Sequence, residues 1–247
     1  MKSAHINANL KVVVMDTDYY SLQSINSYLA WDRRTRVTAL AETIDALWAI
    51  IAKTSEAEQP DVVLIDADHL GGAVVLGQQI QRLRARIPKV MVLCLSQTVD
   101  PALIEAAVAA GARGFLLKNE VRLHIAWAII HALEQPFIAS KGIMRVGETI
   151  FMRHHVKASQ LPERRQYPEL TERIKQAVEL CVVKGMPAHL AADEMGISLH
   201  TIRSYIKEGY RILESYDETE YPDDMSPQER AFMRLTSFEE DDENEKK

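Results

Sequence analysis

Short apolar runs alternate with helical spacing along the first half of the chain. Val12 to Met15, Val37 to Leu40, Val62 to Ile65, Val90 to Leu95 and Gly114 to Leu117 are nearly continuous in apolar residues, as strands buried on both faces are. Between them, apolar positions recur every three or four residues. Leu22, Ile25, Tyr28 and Leu29 mark one helix, Ile44, Leu47, Trp48 and Ile51 a second, and Val75 to Ile87 a third. Asp100-Pro101 opens a fourth, with proline in its first turn, and Val121 to Leu133 forms a fifth. Five strands alternating with five helices predict an α/β domain, a doubly wound five-stranded parallel sheet.

The pattern changes after Gln135-Pro136. Ile143 to Met152 alternates weakly and suggests a short hairpin or an extended arm, and Pro162 to Pro168 is polar and charged. Leu170, Ile174, Ala177, Val178 and Cys181 then follow a helical stripe, broken at Gly185-Met186-Pro187. Ala188 to Met195 predicts a short helix ended by Gly196, and Ser198 caps another running to about Leu213. Two helices joined by a glycine turn, the second one capped, make a helix-turn-helix pattern. Leu190, Met195, Ile197, Ile202, Ile206 and Ile212 are its candidate core. Ser226-Pro227-Gln228-Glu229 starts a further helix whose apolar edge is Ala231, Phe232 and Leu235. The expected organisation is an α/β domain over 1–135, a linker over 136–168, a small all-α helix-turn-helix domain with an extra C-terminal helix over 169–235, and a disordered acidic tail over 236–247.

Composition adds limits. With 247 residues, 47% hydrophobic and 26% charged, the chain suits one or two globular domains. No apolar run approaches the ~18 residues of a membrane span. The first ten residues lack a signal-peptide pattern, and Cys94 and Cys181 sit singly in apolar segments, so a cytoplasmic protein with reduced thiols is expected. The net charge of −6 is unevenly spread: −1 over residues 1–140, +4 over 141–213 and −9 over 214–247. The basic middle block is where a polyanion would bind. His200, Thr201, Arg203, Ser204, Lys207 and Arg211 share one face of the capped helix, and such side chains reach phosphates and base edges in a major groove.

Asp16, Asp66, Ser96 and Lys118 each follow a different predicted strand. In a doubly wound sheet those ends meet at one edge, where such folds bind ligands. Asp16, Asp18 and Asp66 would repel one another unless a cation joins them, and Mg²⁺ suits oxygen ligands. Lys118 and Ser96 would then hold the oxygens of an anion at Asp66. The set suits phosphoryl transfer onto Asp66.

Residues 11 to about 134 resemble the receiver domain of bacterial two-component response regulators, a flavodoxin-like fold. The resemblance rests on Asp16, on Asp66 to Gly71, on Ser96 and on Gly114-Phe115-Leu116-Leu117-Lys118. It implies phosphorylation of Asp66, switch residues Ser96, Phe115 and Lys118, Mg²⁺ as the ion and a histidine kinase as partner. It also implies that phosphorylation biases the face built from the fourth helix, fifth strand and fifth helix toward a homodimer or toward release of the DNA-binding domain. Gly185 to Leu213, above all Gly196 to Ile206, is similar to the LuxR-type output domain and also resembles the last DNA-binding region of sigma factors, which short motifs do not separate; the resemblance implies Thr201 and Arg203 as DNA contacts. The whole reads as a DNA-binding transcription regulator and not as an enzyme. Two departures keep alternatives open. Thr17 stands where the family has its second acid, which suits a phosphorylation-independent regulator with a degenerate pocket. His69-Leu70 stands where the family has Met-Pro. A signalling adaptor whose helical domain binds protein is the rival of a different class. A flavodoxin-like enzyme would need a glycine-rich loop that Asp16 to Tyr19 lacks.

Overall fold

The computed structural model describes residues 8–216 and 221–239, and the chain divides into two compact units between Leu161 and Pro162. The first is an α/β unit. Its strands are β1 (Leu10–Met15), β2 (Thr35–Ala41), β3 (Val62–Asp66), β4 (Met91–Ser96), β5 (Gly114–Leu117), β6 (Phe137–Ala139) and β7 (Ala158–Gln160). All pair in parallel, in the order β2-β1-β3-β4-β5-β6-β7. Helices α1 (Tyr19–Ala30), α2 (Ile44–Lys53), α3 (Ala73–Arg86) and α4 (Pro101–Ala109) make the crossovers between the first five strands. The interior of β1, β3 and β4 is fully apolar and buried, as the continuous runs require.

The sheet therefore has seven strands, where the sequence pattern gives five. The two extra strands come from residues expected to be linker. Phe137–Ala139 lies beside β5, with Gly114 opposite Ile138 and Phe115 opposite Ala139. A Cβ at Gly114 would stand 2.6 Å from Ile138 Cγ1 and 2.8 Å from Ile138 O, so the close approach needs glycine there. The segment expected to be a hairpin or arm is a helix, α7 (Lys141–Arg153), which connects β6 to β7. Ile143, Gly147, Ile150 and Phe151 form its buried stripe. Glycine in that stripe, whose place the Phe151 ring fills, weakened the apolar signal.

This addition changes which surface is available. β5 is not an edge, because β6 covers it. α7 packs on α4, where Arg153 Nη1 and His154 Nε2 reach Glu105 Oε1 at 2.5 and 3.3 Å. The α4–β5 part of the face expected to form a dimer is thus occupied by the chain's own residues.

The expected helix over 121–133 is also broken. Lys118–Val121 forms a single turn (α5), Arg122 has φ +40°, a 3₁₀ turn spans Arg122–His124, and α6 runs Ile125–Glu134. Under α6 lies a feature with no sequence signal. Arg34 is fully buried, paired with Asp32 Oδ2 at 2.6 Å, and its guanidinium stacks 3.9 Å from the Trp127 ring centroid.

The second unit contains α8 (Glu172–Val178), continued by a π-helical turn (Glu179–Val183), then α9 (Ala188–Met195), α10 (Leu199–Glu214) and α11 (Pro227–Leu235). Its core includes Ala177, Leu180, Cys181, Ala191, Ala192, Met195 and Ile202, with Ile197 and Ile206 packed against it. Leu190, expected in that core, is 48% exposed. The expected capping box is present, with Ser226 and Glu229 bonding each other's backbone. α11 packs on the π-helical turn and on α10, and Gln228 Nε2 donates to Cys181 O. The segment expected to be tail begins in contact: Thr236 and Ser237 are buried and Phe238 bridges Arg164. Most of the acidic run, Glu240 to Glu245, lies outside the described residues. Among the described residues, no helix is long and apolar enough to cross a membrane. Both cysteines are unpaired thiols buried in the two cores, and burial pushes both up from their ordinary pKa.

Candidate functional site

In the α/β unit the strand order reverses between β1 and β3, the place where doubly wound sheets hold ligands. Asp16 follows β1, Asp66 ends β3, Ser96 ends β4 and Lys118 follows β5. Parallel register puts these ends at one level, with Met15 opposite Ile65, Asp66 opposite Leu95, and Ser96 opposite Leu117. The side chains of Asp16 and Asp66 are buried.

Lys118 ties the two acids together. Its Nζ lies 2.8 Å from Asp16 Oδ2 and 3.0 Å from Asp66 Oδ1. The other Asp66 oxygen accepts twice, from Thr17 Oγ1 at 3.1 Å and from His69 Nδ1 at 2.8 Å. Burial acts to raise Asp66, but the His69 hydrogen bond and the Lys118 charge outweigh it and hold the carboxyl below its usual value. Burial acts to lower Lys118, and its bonds to Asp16 and Asp66 reverse that and raise it. The hydrogen bond from His69 to Asp66, then the Asp66 charge, raise His69.

The structure separates some of the residues that the sequence grouped. Asp18 is turned away from the pocket: its Oδ1 accepts from Ser21 N and caps α1. Asp16 Oδ1 accepts from Asp18 N, and Asp16 Oδ2 also accepts from Ser21 Oγ at 2.6 Å. Ser96 is not on Asp66. Its hydroxyl lies 2.5 Å from both Asp68 Oδ1 and Thr98 O, which share its single proton, and Gln97 N donates to Asp68 Oδ2. Phe115 is completely buried in β5. Sequence reasoning passed over Asp68 as a partner of Ser96 and took His69 only as a departure from the family pattern. The carboxylate two positions after Asp66 was the available signal, but which way a loop turns is not a matter of spacing.

The group of ligand atoms that converges here comes from Asp66, Asp68 and His69, within 4.8 Å of one another. The carboxylates expected to hold a divalent ion, Asp16, Asp18 and Asp66, do not form a cage. One caps a helix, and the oxygens of the other two accept from hydroxyl, imidazole, ammonium and amide donors. These residues do not fit Mg²⁺ held by three acids.

A measurable consequence follows from the His69–Asp66 pair. A histidine raised by its partner adds stability that is fully present below its ordinary pKa of 6.5 and is lost as pH rises through its raised folded value. The thermal midpoint of the protein should therefore exceed that of His69→Ala by more in mildly acid buffer than in alkaline buffer. The side chain is 54% exposed, so the difference is small, and an equal gap at both pH values would exclude the pairing.

In the second unit, Gly196 takes the left-handed conformation (φ +64°) that ends α9, and Ser198 caps α10 by accepting from Thr201 N. His200, Arg203, Ser204, Lys207 and Arg211 are exposed along one stripe of α10. Thr201 is half-buried, its hydroxyl 2.8 Å from Ser198 Oγ. Arg211 is held by Glu208 through two hydrogen bonds, of 3.0 and 2.6 Å. The open cations of the stripe's first part are Arg203 and Lys207.

No family model matches the chain, and no curated protein matches it. Solved structures similar to it include response regulators. The RcsB response regulator of Salmonella typhimurium is 18% identical, with 85% of this chain and 95% of that chain covered and a TM-score of 0.49. An RcsB–DNA complex is 16% identical, with 93% and 100% covered and a TM-score of 0.49. The signal receiver domain of the NarL response regulator from Mycobacterium tuberculosis is 27% identical, with 52% and 99% covered and a TM-score of 0.44.

Proposed function

We propose that this chain is a DNA-binding transcription regulator of the response-regulator type. The α/β unit carries Asp66 as phosphoryl acceptor, and the state of that pocket governs pairing of two copies and binding of the helical unit to duplex DNA. The observation that carries the reading is the exposed Arg203–Lys207 stripe on a capped helix that follows a left-handed glycine turn. Such a helix places cations against phosphates and base edges of a major groove. The buried Asp66 beside Lys118 supports the acceptor role. A phosphoryl group on Asp66 would meet Lys118 directly, and would draw the Ser96 hydroxyl from Asp68. In that transfer an Asp66 oxygen bonds to phosphorus as the donor's bond to phosphorus breaks, and the leaving group takes the electron pair. The histidine kinase and the cytoplasmic setting are part of the same proposal. α7 packs on α4 and β6 pairs with β5, which favours a pairing surface elsewhere.

The test is retention of the full chain on random duplex DNA across a salt series. DNA binding predicts that log affinity falls by ~0.9 per log unit of salt for each phosphate neutralised. Absent retention, or a flat salt response, would instead favour the adaptor that binds protein through the same unit.

A further inference from the structure

Side chains of the chain itself take three of the acceptor positions on Asp66. Four acceptor positions exist on a carboxylate. On Asp66, Oδ1 takes Lys118 Nζ, and Oδ2 takes both Thr17 Oγ1 and His69 Nδ1. A cation at Oδ2 would have to displace an imidazole at 2.8 Å and reverse a hydroxyl at 3.1 Å. The acid nearest in sequence to Thr17 on its far side, Asp18, is spent on the α1 cap. Thr17 itself brings a neutral hydroxyl to Asp66 Oδ2.

We propose that His69 and Thr17 hold the place of a divalent cation at Asp66, so that the pocket keeps its carboxylate ionised and positioned without a metal. The inference rests on reading Asp66 as the functional carboxylate, and it assigns Thr17 and His69 as its positioning residues. The His69 bond needs a hydrogen on Nδ1, which the Nδ1–H tautomer and the imidazolium carry and the Nε2–H tautomer does not. The energetic logic is that of a buried anion, which must be paired and hydrogen-bonded to remain charged. Here Lys118 supplies the charge, and the two donors saturate the second oxygen.

The test is binding of Mn²⁺, read by its electron paramagnetic signal, and of Mg²⁺, read by thermal midpoint, in the full-length protein. The wild type should show no Asp66-dependent site. The double variant Thr17→Asp, His69→Ala, which removes both donors and adds the missing carboxylate, should gain one that Asp66→Asn abolishes. Asp66-dependent metal binding by the wild type would overturn the proposal. So would a folded double variant that binds no better than wild type, because the two donors would then not be what occupies the place. Circular dichroism checks folding, and His69→Ala alone, at a half-exposed position, is the milder variant and should show a weaker gain.

Treatment with a small phosphodonor, followed by intact mass, separates this from the acceptor reading. An Asp66-dependent adduct that forms equally in EDTA supports the proposal, and one that requires Mg²⁺ overturns it. No adduct under either condition removes the acceptor role and leaves the metal measurement to decide the pocket's occupancy.

Discussion

Lys118→Met should unfold more easily than wild type by about 3–5 kcal/mol at neutral pH, the usual cost of leaving buried charge without its partner. Lys118 is only 13% exposed and touches two carboxylates that are themselves almost completely buried. Removing its ammonium leaves Asp16 and Asp66 facing each other, while Thr17, His69 and Ser21 still bond them. The pH dependence identifies the cause. In the wild type Asp66 sits below its ordinary value of 3.8, so its contribution is present above that value and is lost as pH falls through the lower folded one. Without Lys118 the Asp66 carboxyl loses one of the causes that hold it low and becomes easier to protonate, and protonation relieves the variant. The stability gap should be full at neutral pH and narrow as pH falls through the carboxylate range. Urea unfolding at a series of pH values measures it. A gap that does not change with pH would mean that Lys118 acts through packing of its stem and not through its charge.

If the helical unit binds DNA, Arg203→Ala combined with Lys207→Ala should cause a large loss of DNA affinity. Both side chains are exposed on the outer stripe of α10, and the core side of that helix is held by Ile202, Gly209, Ile212 and Leu213. The variant should therefore fold normally. An arginine that reads a base edge is worth about 1–3 kcal/mol, and a lysine on a phosphate changes the salt slope by about 1. If both meet phosphates, the slope should fall by about 2 with little change in sequence preference. If Arg203 reads a base, specificity at one position should relax while the slope falls by about 1. Arg211→Ala serves as comparison, because Glu208 already engages its guanidinium and its removal should weaken binding less. Unchanged affinity in the double variant, with the fold intact, would remove α10 as the DNA-reading helix.

Much of this organisation is legible without coordinates, for a physical reason. A strand buried on both faces must be apolar along its length, so β1, β3, β4 and β5 announce themselves. A parallel sheet then puts the residues that follow its strands at one edge, which brought Asp16, Asp66 and Lys118 together on paper. Caps are equally local: Ser198 and Ser226 bond backbone three residues on, so their roles follow from sequence distance alone.

Part of what failed depends on a partner distant in sequence. β6 and β7 have three residues each, and their identity as strands comes from lying beside β5, not from any pattern of their own. α7 read as weak alternation because one place in its stripe is a glycine against a phenylalanine ring. Arg34 is exposed by every propensity and is buried by Asp32 and Trp127. Within the site, strand ends fixed where each side chain starts, but not where it points. The chain alone determined that Asp16, Asp18, Asp66, Ser96 and Lys118 lie near one edge. The Asp18 cap, three residues from Ser21 N, is as local as the other caps, but only the tertiary structure decided that Ser96 meets Asp68 and that Thr17 and His69 complete the shell of Asp66. Hydrogen bonds are directional over about 3 Å, and loop backbone sets those directions.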